Sequence, residues 1–163
     1  MKYTLEIQKR LLQVENGNLS PHEKALLLKE AIRIADENDD PQWAVEMRLD
    51  LIYELNLLSQ AEEEIAVFSR ILDDYENNKD LISENDILWK YKWICGAAFD
   101  VPEVSQSQID AILEDFKIRT LRNGYSARAY YHLLFLHYNR MRQYDLAKEY
   151  ADKMLSEKLD DMI

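Results

Sequence analysis

His132 and His137 stand five residues apart in the segment YYHLLFLHYNRMRQYDLA, which also carries five aromatic residues and two arginines. At that spacing the two imidazoles leave a helix on different faces. Neither follows a carboxylate by three residues, the Glu-x-x-His spacing with which facing helices hold metal ions. The pattern therefore assigns no metal site and no cofactor. Cys95 is the single cysteine and has no histidine near it in sequence to act as a base. There is no Gly-x-Ser-x-Gly elbow, and the three glycines do not form a phosphate-cradling loop. The residues able to do chemistry thus point to binding rather than catalysis, and a non-enzymatic protein is expected.

Charge narrows the partner. Lys and Arg number 20 against 31 Asp and Glu, a formal net charge of −11, so a nucleic acid would meet repulsion instead of releasing counterions. Basic residues nevertheless gather locally at Arg119, Arg122, Arg128, Arg140 and Arg142, as helix ends or as a patch that receives an acidic segment. The N-terminal stretch MKYTLEIQKRLLQ has no apolar run of signal-peptide length. AYYHLLFLHYN falls far short of the roughly 18 apolar residues of a spanning helix. A cytoplasmic protein without membrane contact is expected. One cysteine permits no intrachain disulfide, and its surroundings, WICGAAF, predict a buried thiol.

The elements that position these side chains are all helical. The chain of 163 residues suits one domain, hydrophobic residues make up 47%, and only three Gly and three Pro interrupt it. A first helix is predicted over Tyr3 to Glu15, stopped by Asn16-Gly17. Ser20-Pro21-His22-Glu23 opens a second with an N-cap serine, proline at the first helical position and a capping-box glutamate. Asp40 and Pro41 open a third, with Trp43, Met47, Leu51 and Leu55 at helical spacing. Ser59 and Glu62 predict a capping box for a fourth, over Gln60 to Asn77, which buries Ile65, Phe68, Ile71, Leu72 and Tyr75 and turns its Glu62-Glu63-Glu64 run to solvent. A fifth helix starts near Ser83 to Asp86 and carries Trp89, Trp93 and Ala97, with Lys90 and Lys92 facing solvent. Ser105 and Gln108 cap a sixth that stops at Asn123-Gly124, a seventh begins at Ser126, and an eighth follows the turn Met141 to Gln143. Helices three, five and seven begin near residues 41, 83 and 125. Eight helices in four hairpins, repeating every ~42 residues, place the chain among helical repeat arrays rather than closed bundles, with HEAT-like pairing, whose period is roughly 40 to 47 residues, as one option.

The best-formed unit is the last. Tyr131, Leu134 and Tyr138 fall on three places of the W-x2-L-G-x2-Y pattern, and Ala147 falls on the alanine of A-x3-F. This unit resembles a tetratricopeptide repeat over residues 126 to 155, and the stretch from Leu88 to Leu155 resembles a group of poorly characterised bacterial tetratricopeptide proteins. Phe135 departs from the pattern where glycine is usual, Ala151 where an aromatic is usual, and Leu159 where proline is common. The resemblance implies a right-handed superhelix of αα-hairpins, whole in these 163 residues or the first part of a longer array.

Tyr131, Leu134, Phe135 and Tyr138 form one stripe, and Tyr130, Leu133, His137 and Met141 form another, so the seventh helix is expected to be sandwiched. Between the stripes lie Arg128, His132 and Asn139, the polar strip that faces the concave groove in this family. They are the candidate partner-binding residues. Trp89 and Trp93, one turn apart, are candidate aromatic contacts, with core packing as their alternative. The places comparable to those that hold chaperone carboxylates carry His132 and Leu136, so chaperone binding is not implied.

The expected function is a protein- or peptide-binding scaffold. A peptide-sensing regulator is one alternative, although residues 1 to 40 show no basic recognition helix. A self-associating domain is the other, dimerising through the last helix, where Leu146, Tyr150, Met154 and Leu159 have no further helix to cover them.

Overall fold

The computed structural model describes residues 2–160, and among them are eight helices and no strand. These are α1 (Lys2–Asn16), α2 (Pro21–Glu37), α3 (Pro41–Leu57), α4 (Ala61–Asn77), α5 (Glu84–Ala98), α6 (Gln106–Arg122), α7 (Arg128–Arg140) and α8 (Tyr144–Ser156). The chain forms two compact units, one up to Ser83 and one from Glu84 onward.

In the first unit each helix packs on its neighbours in sequence. The start of α2 is the expected capping box: the Glu23 amide donates to Ser20 Oγ at 3.3 Å, and the Ser20 amide donates to Glu23 Oε2 at 2.8 Å. Asp40 caps α3 by accepting the Trp43 amide at 3.2 Å, while its other oxygen accepts the Tyr3 hydroxyl of α1 at 3.0 Å. Small residues Ala25, Ala31 and Ala35 on α2 are covered, which lets Ile7, Met47 and Leu55 close over them.

Two expectations for α4 fail. Ser59 is not its N-cap: it takes a left-handed φ of 54°, and the capping position falls to Gln60, which makes no side-chain cap. The reason is that α3 continues to Leu57, so Ser59 closes that helix instead of opening the next one. The Gln60 amide returns to Leu55 O at 3.0 Å, the five-residue closure of a Schellman turn. The same closure joins Asp40 to Ala35 O, Tyr125 to Thr120 O and Gln143 to Tyr138 O, with Asp39, Gly124 and Arg142 at positive φ. The glutamate run also does not lie wholly in solvent. Glu64 is 1% exposed and accepts the Asn56 side-chain amide at 3.3 Å, which supplies the donor that a covered carboxylate requires. The expected apolar stripe otherwise holds: Phe68, Ile71 and Tyr75 are buried, with Ile65 and Leu72 half-buried.

In the second unit α7 packs on α5, α6 and α8, the sandwiched position expected for it. Leu88, Ile94, Cys95, Phe116 and Leu133 form its interior. Tyr91 sets its ring 5.7 Å from Phe116 and donates its hydroxyl to Asp115 Oδ2 at 2.9 Å, where Arg119 Nε donates from the same helix as Asp115. The Cys95 thiol is fully covered, and burial, reinforced by the Asp115 charge, pushes its pKa up, away from thiolate chemistry. Ser105 and Gln108 form the expected capping box of α6. The expected start of α7 shifts: Ala127 holds the N-cap position, and Ser126, one residue earlier, accepts the Arg128 amide on its hydroxyl at 3.3 Å.

No described helix is long and apolar enough to cross a membrane.

Candidate functional site

The candidate residues occupy α5 and α7 of the second unit. Arg128 and His132 are four residues apart on α7 and therefore share a face. The half-buried His132 ring is held below the ordinary histidine range, first by burial and then by the positive charges of Lys92 and Arg128. Lys92 lies on α5, which packs on α7, near enough for its charge to act on His132. Its ammonium sits 4.1 Å from the centre of the Trp89 ring, and Trp89 is 40% exposed. Trp89, Lys92, Arg128 and His132 form one basic, aromatic-edged face on a chain of strongly negative net charge.

Lys92 had been expected simply to face solvent. It is half-buried instead, with its ammonium over Trp89 and its pKa lowered by burial against an opposing pull from Asp160. The three-residue spacing from Trp89 to Lys92 was the signal available in the sequence. Lys90 is placed similarly, 4.5 Å from the ring of Trp93, which is half-buried. Trp93, one turn after Trp89 on α5, is the more covered of the two, and neither ring joins the fully covered interior. Asn139 is exposed near the far end of α7, about 10 Å along the axis from His132 at 1.5 Å per residue. It lies outside the cluster.

Arg128 has a second set of partners. Its Nη1 donates to Met154 O at 3.1 Å and to Glu157 O at 3.3 Å, at the end of α8, where Met154 O also accepts the Glu157 amide at 3.2 Å. Its Nε is covered and has no hydrogen-bond acceptor. The segment after α8 closes on the same region. Asp160 Oδ2 accepts both the Ser126 amide and the Ser126 hydroxyl at 2.8 Å, and that hydroxyl also points at Lys158 O, 2.8 Å away. A carboxylate of the chain itself therefore rests at the start of α7, beside the basic face.

His137 was expected on the second apolar stripe of α7, and it is buried there. Its Nε2 faces Gln106 Oε1 at 3.1 Å, its ring lies 4.7 Å from Phe99, and burial lowers its pKa. Met141, expected on the same stripe, is 47% exposed because α7 ends at Arg140. Tyr138 and Tyr131 stack on Tyr150 at 5.4 and 6.3 Å, which explains these two tyrosines of the aromatic-rich segment as packing between α7 and α8, whereas Tyr144 is exposed. Among the described residues no group of three or more His, Cys, Asp or Glu is placed to hold a metal ion.

The first unit holds a separate apolar groove of about 740 Å³ between α1 and α2, lined by Leu12, Leu19, Leu26 and Leu27 with Gly17 at its end. It carries little polar chemistry. The class defined so far is an all-α protein of neighbouring helical pairs with a basic face on α5 and α7. Comparison with family models, curated proteins and solved structures finds no match for the chain.

Proposed function

We propose that this protein is a non-catalytic scaffold of tetratricopeptide-like hairpins in a right-handed superhelix, acting in the cytoplasm and binding an acidic protein or peptide segment at the α5–α7 face. The observation that supports this reading is the convergence of Lys92, Arg128 and His132 beside the exposed Trp89 edge. Two fixed cations attract carboxylates, and an aromatic edge adds apolar contact area, the combination that dominates many binding hot spots. The negative net charge of the whole chain restricts recognition to that local patch.

Selection from a random dodecapeptide display library tests it. Enriched peptides should be acidic and should lose binding to a folded Lys92→Met/His132→Ala variant. If no peptide is enriched, or if the variant binds as well as the parent, the reading fails. Self-association is a second reading, favoured by Leu155 and Leu159 at the end of the chain, 67% and 70% exposed. Light scattering that shows a monomer at high concentration would remove it.

A further inference from the structure

Resting on the acidic-segment reading above, we propose that residues Glu157–Asp160 are a strap that closes the α5–α7 face in cis, with the Asp160 carboxylate holding the place of a partner's carboxylate. The strap is built from polar contacts that a partner could replace. Asp160 Oδ2 accepts two hydrogen bonds from Ser126, one from the amide next to the N-cap of α7 and one from the hydroxyl. Its charge acts on Lys92, which in turn acts on His132. Arg128 holds the other end of the strap through Glu157 O, at 3.3 Å.

Two features distinguish the strap from an ordinary helix ending. Glu157 leaves the helical conformation with φ −80° and ψ 154°, and residues 157–160 then run without regular structure over polar contacts, while Leu159 stays 70% exposed. No apolar anchor at Leu159 secures the segment, so its closure depends on hydrogen bonds and charge. Contacts of this kind are individually modest, within reach of a competing ligand. The covered Nε of Arg128, on the guanidinium whose Nη1 holds Glu157 O, is a donor without an acceptor. Opening the strap frees the guanidinium from Glu157 O and presents it, with Lys92 and the Ser126 amide, to an incoming carboxylate.

The consequence is competition between Asp160 and the partner for one set of donors. Apparent affinity is lowered by the fraction of molecules that are open, so a strap closed nine-tenths of the time weakens binding about tenfold. A peptide with two or more carboxylates outcompetes the strap because it engages Lys92 and Arg128 together.

The experiment measures binding of fluorescein-labelled tetra-aspartate to the full chain by fluorescence anisotropy, at about 0.1 M salt so that distant charges are screened. Asp160→Asn keeps the size of the side chain and removes its charge. It should bind the probe about tenfold more tightly than the parent. Adding Lys92→Met, which keeps an unbranched side chain of similar length and removes its charge, should abolish the gain. Asp145→Asn removes the same charge from the exposed start of α8 and should leave affinity within about twofold. Asp160→Ala, which also removes the acceptor, should tighten binding at least as much as Asp160→Asn.

If parent and Asp160→Asn bind the probe equally, the strap proposal falls while the acidic-segment reading stands. If Asp145→Asn tightens binding as much as Asp160→Asn, net charge is the cause and the strap again falls. If neither the parent nor either Asp160 variant binds, both readings fall. Loss of helicity by circular dichroism in both Asp160 variants, with no gain in binding, makes the contact structural and also overturns the proposal.

Discussion

Arg128 Nη1 donates to the carbonyl oxygen of Met154 at 3.1 Å, so a residue on the basic face of α7 also closes the end of α8. Met154 O also accepts the Glu157 amide at 3.2 Å, and the charged guanidinium adds a second hydrogen bond there together with a favourable interaction with the helix dipole. Arg128→Ala should lower stability by about 1.5–3 kcal/mol in urea unfolding, the range for hydrogen bonds to charged groups. Amide exchange should accelerate in the last turn of α8 well before it does in α5. A variant with unchanged exchange there would show that the contact does not hold the helix end.

Arg48 is the corresponding tie in the first unit. Its side chain is 9% exposed and lies between Asp36 of α2 at 2.6 Å and Asp74 of α4 at 3.2 Å. Arg48→Ala leaves Asp74, 12% exposed, with only the more exposed Arg70. The expected cost is about 3 kcal/mol. Arg48→Ala/Asp74→Asn should recover part of that loss in a double-mutant cycle, because the stranded charge is gone. Strict additivity of the two changes would contradict the arrangement.

Ser59 and Arg142 adopt φ of 54° and 57° at Schellman turns, a conformation that costs an L residue about 1 kcal/mol relative to glycine. Ser59→Gly and Arg142→Gly should therefore each raise stability, by roughly 0.5 kcal/mol once the greater chain entropy of glycine is deducted. The same change at Ser20 or Ser105, which are true N-caps, should not stabilise. Thermal unfolding of the four variants checks the contrast.

Stability should fall on mild acidification. His132 and His137 both have pKa values held below the ordinary 6.5, in each case first by burial. The Asp110 charge partly opposes the shift at His137, and Arg140 adds to it. At a pH above about 6.5 both histidines are neutral in folded and unfolded chains alike, and neither contributes a pH dependence. Below it the unfolded chain takes up protons that the folded chain resists, so stability declines until the folded pKa values are passed. The urea midpoint should be lower at pH 5.5 than at pH 7.5, and His137→Gln should remove part of the difference. Glu23, Glu30 and Glu84, with lowered pKa values, add their loss only at more acid pH, below their ordinary 4.5. An equal midpoint at the two pH values would refute the histidine account.

The helices were legible because their signals are local. Ser20 with Glu23, Asp40 with Pro41, and Ser105 with Gln108 each satisfy the first amides of a helix from residues within one turn, and no distant partner is required. The same local rule misled at Ser59, where Ser-x-x-Glu spacing is present but the preceding helix needed that residue for its own closure. Two local preferences competed for one serine, and the short turn between α3 and α4 decided between them.

By itself the sequence determined eight helices, a sandwiched α7 and the shared face of Arg128 and His132, all of which follow from the 3.6-residue period and adjacent caps. Only the tertiary structure decided that Lys92 joins that face, that Glu64 is covered, and that Asp160 returns across 34 residues to the amide of Ser126. Each of these depends on which helix faces which. Periodicity assigns a residue to a side of its own helix, whereas the identity of the group waiting opposite is set by packing between elements distant in the chain.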